Sequence, residues 1–418
     1  MTRMTLASAA KTTRLDELGF VSRGRSRHRP RNDASLYGGE YPFFQTGDIK
    51  AANLYLTEYT QTYSEAGLAQ SKMWDKGTLC ITIAANIAET AILGIPGCFP
   101  DSVVGFVPDP DKADVRFIKY YIDILKLGMQ SISRGTTQDN MSVEKLMSFD
   151  FNVPDLPTQR KIAGILSAYD DLIENNLRRI KILEEMAQSL YREWFVHFRF
   201  PRHESAQFID SELGKIPLGW KTTDLAAVCV KEKGIQTGPF GSQLHESDYS
   251  VEGVPVVMPK DLIGFRIRTD TVARIPEETA NKLIRHRMKL GDIVYGRRGE
   301  IGRRAFIMPH QVGWFCGTGC LRIRPDPDAV NGWYLFNFLG QDNVASLIAG
   351  RAQGVTMPNL NTGILSSVPV TLPPKSIQEQ FAKLCFPFAH SREALQSQIQ
   401  NLGFTRDLLL PRLAFGGK

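Results

Sequence analysis

The chain has 418 residues, room for two to four domains at roughly 100–200 residues each. Hydrophobic residues are 43% and charged ones 22%, which excludes wholesale disorder and collagen-like repeats. Lys and Arg number 50 against 44 Asp and Glu, so the formal charge is +6. Such mild basicity permits an anionic partner without requiring one, and the decision rests on where the arginines sit.

The N-terminal MTRMTLASAAKTTRLDEL has no apolar core of a secretion signal. The most apolar stretch, Leu79 to Phe99, contains Asn86 and Glu89 and is interrupted by Gly94 and Pro96. It falls short of the about 20 apolar residues of a membrane span. A soluble, cytoplasmic protein is therefore expected. Cys80, Cys98, Cys229, Cys316, Cys320 and Cys385 form neither a CxxC pair nor a zinc spacing, and buried thiols are expected.

In chain order, the first feature is SRGRSRHRPR (22–31). It places Arg23, Arg25, Arg27, Arg29 and Arg31 at alternate positions, with His28 between two of them. Gly24 and Pro30 exclude a helix, and in an extended segment residues two apart share one side. Five guanidiniums on one side make a phosphate-binding strip or a groove-reading arm. The competing reading is a solvated basic loop. Short strands with Gly and Pro turns follow (PFFQTGDI, GTLCITIAA, AILGIP), then a helical stretch, Arg116 to Lys126. Together they make an α+β region.

A long helix is expected from Thr158 to Arg199, opening after the turn Pro154–Pro157. Its apolar residues fall on a heptad. Leu166, Ile173, Ile180, Ala187 and Trp194 hold one seam position; Ile162, Tyr169, Asn176, Leu183 and Leu190 hold the other. Four heptads read as a coiled coil, with Asn176 a polar seam residue of the kind that fixes register. At ~1.5 Å per residue, such a helix reaches ~60 Å.

The order then repeats. Residues 135–163 lie over 354–382 without a gap, at an offset of 219 (354 − 135), with eight identities that include Leu146/Leu365, Pro154/Pro373 and Gln159/Gln378. YPFFQTGDI (41–49) matches VPVVMPKDL (254–262), and WDKGTLCITI (74–83) matches MKLGDIVYGR (288–297). A period of half the chain means duplicated domains, because solenoid repeats run only about 20–50 residues. In the second copy, YGRRGEIGRRAF (295–306) is expected to present Arg297, Arg298, Arg303 and Arg304 at a hairpin tip. The two basic segments do not occupy equivalent loops. Arginine also suits bidentate contact with guanine, and Gln138, Asn140, Gln353 and Asn359, in the matched loop before the last strand, are candidate adenine readers. The second helix keeps a seam at Phe381, Phe388, Leu395, Ile399, Leu402 and Leu409. Arg392 and Arg406 interrupt that seam, and Pro387 is expected to kink or break the helix near its start. Each helix either caps its own domain or pairs, antiparallel, with its duplicate. Duplication favours pairing.

No GxxxxGK[ST], HExxH, GxSxG or GxGxxG motif occurs, and GPFGS (238–242) lacks the lysine of a phosphate loop. Two large domains without an acid/base or metal constellation read as binders.

Taken in order, YPFFQTGDIK, LPTQRKIAGILSAYDDLIENNLRRIKILEEMAQSLYREWF, WFVHFRFPRHESAQFIDSELGKIPLGW, TGPFGSQL, GDIVYGRRGEIGRRAFI and LLLPRL resemble the specificity subunit of type I restriction–modification enzymes. The resemblance covers nearly the whole chain. It implies two mixed α/β target recognition domains, residues 1–155 and 201–372, each reading half of a bipartite site in double-stranded DNA. It implies helical regions 156–200 and 373–418, which form an antiparallel coiled coil, set the gap between half-sites and dock two modification (methyltransferase) subunits. Restriction subunits, using ATP and Mg²⁺, join that core. S-adenosylmethionine belongs to the modification subunits, so the chain is a non-catalytic DNA-binding subunit with no cofactor and no metal. Thr46, Lys50, Ser242, Gln243 and Lys260, within or beside the matching motifs, join the arginines as candidate DNA contacts. Pro387, the seam arginines and the ending AFGGK depart from the family pattern. A duplicated assembly scaffold without specific DNA reading is the alternative.

Overall fold

In the computed structural model of the protein, residues 10–133, 141–211, 214–241, 243–269, 272–299, 301–352 and 359–414 are described. The chain divides into two compact units, Met1–Ile180 with Glu393–Lys418, and Lys181–Arg392.

In the first unit the central sheet is built from β1 (Gly19–Arg23), β2 (Tyr55–Leu56), β3 (Leu79–Thr82), β4 (Thr90–Leu93) and β5 (Val103–Pro108), in the order β1-β5-β3-β4-β2. Leu79 to Thr82 and Thr90 to Leu93 are buried at every position, which explains why neither segment alternates apolar with charged residues. A second sheet pairs Tyr37–Phe43 with Gln61–Tyr63 and carries on to α1 (Thr46–Ala51). α2 (Val115–Ser133) buries Phe117, Ile118, Tyr121 and Ile122 against the central sheet's core.

The long helix α3 (Leu156–Tyr191) starts under a clamp. Gln159 is buried; its carbonyl accepts from Asp114 N at 3.0 Å and its amide donates to the carbonyls of Lys112 and Pro154 at 2.9 Å. Within this unit Ile162, Leu166, Ile173, Asn176 and Ile180 are buried and Tyr169 half-buried, as the heptad predicts. Their partner is the end of α6 (Lys375–Ala414), whose Leu409, Leu410 and Leu413 join the same core. Asn176 donates to Gln398 at 3.3 Å, and Arg406 pairs with Asp170, whose carboxylate also accepts from Tyr120 Oη. Moving up α3 from 170 to 176 moves down α6 from 406 to 398, so the helices are antiparallel here.

The second unit repeats the plan. β6 (Ile235–Thr237), β7 (Ile293–Gly296), β8 (Arg304–Phe306) and β9 (Cys320–Ile323) run in the order β6-β9-β7-β8. Behind them α4 (Gly332–Phe338) and α5 (Asp342–Arg351) replace α2. Gln378 repeats the clamp, accepting from Asn331 N at 2.8 Å and donating to Pro373 O at 2.7 Å. Here the helix pair is held by Glu184 with Arg392 at 3.6 Å, and by Tyr191, Trp194 and Phe195 around Phe381, again antiparallel. Leu183, Ala187 and Leu190 are half-buried in that seam. Of the second helix's seam, Phe381 and Leu395 are buried, and Phe388, Ile399 and Leu402 half-buried.

Three expectations are corrected. Pro387 does not interrupt α6, which runs helically through it. Proline removes only the bond its own N–H would give to the carbonyl of Lys383, while Phe381, Cys385 and Ala389 anchor the surrounding turns in the core. α3 ends earlier than expected, at Tyr191, in a π-turn over Arg192–Val196 that buries Trp194 and Phe195 before Phe198 takes a positive φ of 56°. The arginines at the second seam are not irregularities either, since each meets a carboxylate. All six cysteines are buried and unbridged, and no described helix is long and apolar enough to cross a membrane.

Candidate nucleic-acid interface

In each unit, one end of the central sheet collects the same three connections. β1 leads out into the arm 24–31, β5 enters from the turn at Phe99–Ser102, and β3 and β4 are joined by the loop 83–89. In the second unit β6 leads into the segment 238–245, β9 enters from 317–319, and β7 and β8 are joined by 297–303. The register makes them equivalent: Val103 opposite Thr82 corresponds to Cys320 opposite Gly296. Gly24 N donates to Val103 O at 2.8 Å, and Gly238 N to Cys320 O at 3.0 Å. A β-carbon on Gly24 would lie 2.3 Å from Phe99 O, and one on Gly238 would lie 2.0 Å from Gly317 O, so both arms leave the sheet through a site only glycine fits.

The arm of the first unit alternates as its sequence predicts. Arg23, Arg25, Arg27 and Arg29 are exposed, Gly24 and Ser26 buried, and His28 half-buried. The backbone is pinned from beneath. Gln70 Oε1 accepts from the amides of Arg27 (2.7 Å) and His28 (3.0 Å), and Ser71 Oγ donates to Arg25 O at 2.8 Å. Arg31 is exposed but paired with Asp101 at 2.8 Å, Arg29 donates to its own loop's carbonyls at Ser26 and His28, and His28 faces Asp33 at 3.2 Å. The guanidiniums of Arg23, Arg25 and Arg27 make no hydrogen bond among the described residues, which leaves three cations on one side. Lys72, absent from the sequence expectation, adds a fourth. Its ammonium lies 3.6 Å over Trp74 and 4.9 Å from the exposed ring of Phe20, and burial together with Arg25 pushes its pKa down. No sequence signal marked it, because it sits 41 residues beyond Arg31 in the chain (72 − 31).

The hairpin of the second unit is only partly what its sequence predicts. Arg298 is exposed and Arg303 half-buried, but Arg297 and Arg304 are turned inside, correcting the expectation of four at the tip. Arg297 Nε donates to Asn359 Oδ1 (3.2 Å) and Leu360 O (3.1 Å), and burial lowers its pKa. Arg304 Nε donates to Phe336 O at 2.9 Å and Nη1 to Gly302 O at 3.3 Å. Its guanidinium lies 4.8 Å from the ring of Phe265 and 4.9 Å from that of Phe336. Burial pushes its pKa to about 10, still charged at neutral pH. Arg304 therefore ties the loop to α4. Thr90, its equivalent, ties the first unit's loop to α2 by donating to Asp123 at 2.6 Å. Lys260 is exposed in the turn Pro259–Asp261 and shares a concavity with Arg268 and Arg303. Gln243 is exposed in the second arm, beside exposed Phe240, whose ring lies 5.9 Å from the Arg297 guanidinium.

In the first unit, Thr46 is half-buried at the start of α1, and Lys50 is exposed and donates to Asn86 Oδ1 at 3.1 Å. Asn359 holds Arg297 rather than standing free to read a base. Gln138, Asn140, Ser242 and Gln353 lie outside the described residues.

The two units thus place charge in opposite connections of the same edge. The first has a basic arm and an uncharged loop tip; the second has an uncharged arm tip and a basic loop. Both loops need two left-handed residues, Ala85 (φ 63°) and Ala88 (φ 61°) in the first, and Gly299 (φ 75°) and Gly302 (φ 108°) at the equivalent positions of the second. Glycine adopts this conformation freely, whereas alanine pays about 1–2 kcal/mol per residue.

An edge of clustered cations on a duplicated α+β domain defines a class of anion-binding proteins. The comparisons are more specific. The family model described as "Type I restriction modification DNA specificity domain" matches residues 8–185 and 220–402, so the chain belongs to that family and carries the domain twice. The type I restriction enzyme MjaIX specificity subunit of Methanocaldococcus jannaschii is 25% identical over 96% of this chain and 92% of its own. The HindI specificity subunit of Haemophilus influenzae is 39% identical over 66 residues, 16% of this chain and 14% of its own. The crystal structure of a type I restriction–modification S subunit from M. genitalium superposes with a TM-score of 0.58, at 16% identity and covering 98% of each chain, which shows the shared fold.

Proposed function

We propose that this chain is the non-catalytic DNA-reading subunit of a type I restriction–modification complex, acting in the cytoplasm on a bipartite duplex site. Target recognition domains 1–155 and 201–372 each read one half, with helical regions 156–200 and 373–418 between them. The observation that carries this reading is the conserved plan of the sheet edge: the same three connections converge in both units, with cations in a different one each time. Two copies of one scaffold with different charged tips suit two different half-sites, with arginine and lysine supplying phosphate and guanine contacts.

Docking of two modification subunits, and through them restriction subunits, is supported by the outward faces of the long helices. In the first unit these expose Leu172, Phe404 and Leu408; in the second, Ile182, Met186, Leu384 and Phe386. Apolar side chains in such number on helices already packed on their other side suit a protein partner.

Methylome sequencing of a host with and without the chain and its modification subunit tests the proposal. A new split adenine-methylation motif is expected; no new gapped motif refutes it. DNA affinity of the assembled subunits should fall steeply with salt, whereas a flat response favours the assembly scaffold.

A further inference from the structure

We infer that Asn86 is a base-reading residue of the first unit, recognising adenine from the major groove with its carboxamide oriented by Lys50. This rests on the DNA-reading function proposed above and adds to it one residue and one base.

The loop 83–89 occupies the position of the second unit's arginine hairpin, yet its tip has no cation. Its backbone is bonded at both ends and beneath the tip. Ala88 N donates to Thr82 O (2.9 Å), Glu89 N to Thr82 Oγ1 (3.0 Å), Ile83 N to Ser102 O (2.9 Å) and Met141 N to Ile83 O (2.8 Å). Gln130 Nε2 donates to Ile87 O at 3.0 Å, and the Thr82 hydroxyl donates to Asn86 O. Ile87 and Ala88 are buried, so the polar side chain left at the tip is Asn86, half-exposed next to exposed Ala85. The two left-handed alanines hold that tip in a conformation the free chain avoids, and the bonds just named over-determine it. A residue presented by such a loop is preorganised.

Lys50 Nζ donates to Asn86 Oδ1 at 3.1 Å, which fixes which end of the carboxamide is oxygen. A carbonyl oxygen has a second lone pair, and among the described residues the amide's donors have no partner. Adenine presents N6–H as donor and N7 as acceptor in the major groove, the complement of this carboxamide. Lys50, alongside, neutralises phosphate or meets a neighbouring acceptor without displacing that contact.

The test uses the full chain assembled with its modification subunits and a duplex library randomised at both half-sites. Wild type should show an adenine preference in the half-site read by the first unit. Asn86→Ala should lower it about tenfold or more at one position, with the other half-site's preference unchanged as the internal control of folding. Replacing that adenine with 7-deazaadenine should weaken wild type by a similar factor and leave Asn86→Ala unaffected. Asn86→Asp, which loses the donors, should shift the position towards cytosine. Unchanged preference at every position in Asn86→Ala, with wild type still reading a split site, overturns the inference and leaves the proposed function standing. If wild type has no sequence preference at all, both fall.

Discussion

The pair Asp170–Arg406 offers a sharp test of how the first unit is closed. The Asp170 side chain is 1% exposed and that of Arg406 23%, and the aspartate also accepts from Tyr120 Oη. Burial works against the charge on Arg406, yet Asp170 and Asp407 hold its pKa above the ordinary value. Burial and Asp170 together raise the pKa of Tyr120. Arg406→Leu removes the cation and leaves a carboxylate buried with one hydroxyl partner. Breaking one side of a buried pair costs about 3–5 kcal/mol, a large part of the about 5–15 kcal/mol stability of a typical protein. Replacing both charges and the hydroxyl (Asp170→Leu, Arg406→Leu, Tyr120→Phe) leaves no orphan and should come within about 1–2 kcal/mol of wild type. The chain suits the measurement. Of its five tryptophans only Trp74 lies in the first unit, so urea unfolding followed in a chain retaining Trp74 alone reports that unit. A single substitution costing under about 1 kcal/mol would refute the reasoning, as would a triple variant no better than the single one.

Three further outcomes follow from named side chains. His286 is 3% exposed, and burial with Arg285 and Arg322 pushes its pKa from 6.5 to about 4. The unfolded chain therefore binds a proton that the folded one refuses. Stability should fall as pH drops from 6.5 towards 4, by at most about 3 kcal/mol, and His286→Phe should flatten that slope in pH-dependent unfolding. Gly24→Ala drives a methyl against Phe99 O and Pro100 O (2.3 and 2.4 Å), and should destabilise the first unit by about 1–3 kcal/mol in the Trp74 assay while sparing the second. Arg23, Arg25 and Arg27 changed together to alanine should reduce the slope of log affinity against log salt by up to about 3, and Arg298→Ala should affect the other half-site only. Loss at both half-sites from either would contradict separate reading.

Much of the plan is legible in the amino-acid sequence alone. The duplication, the α+β order and the inward face of the first long helix are properties of spacing, and spacing follows from the local geometry of helices and strands. The arm's alternation was legible for the same reason, as an extended strand exposes every second residue. The hairpin arginines were not, because Arg297 and Arg298 are chain neighbours of identical type, and only Asn359, Leu360, Gly302 and Phe336 decide that Arg297 and Arg304 turn inward. Lys72 and Asn86 carried no signal, since one is marked by the rings of Trp74 and Phe20 beneath it and the other by the loop that presents it.

The amino-acid sequence by itself determined that this is a mildly basic chain of two like halves, each ending in a long helix, with its arginines gathered in two segments. Only the tertiary structure decided that a net charge of +6 becomes one cationic sheet edge per unit, drawn from different connections. It also decided that Arg406, out of place in an apolar seam, belongs opposite Asp170, 236 residues earlier. A heptad records which side of a helix is buried; which charge waits across the seam depends on contacts that no local pattern encodes.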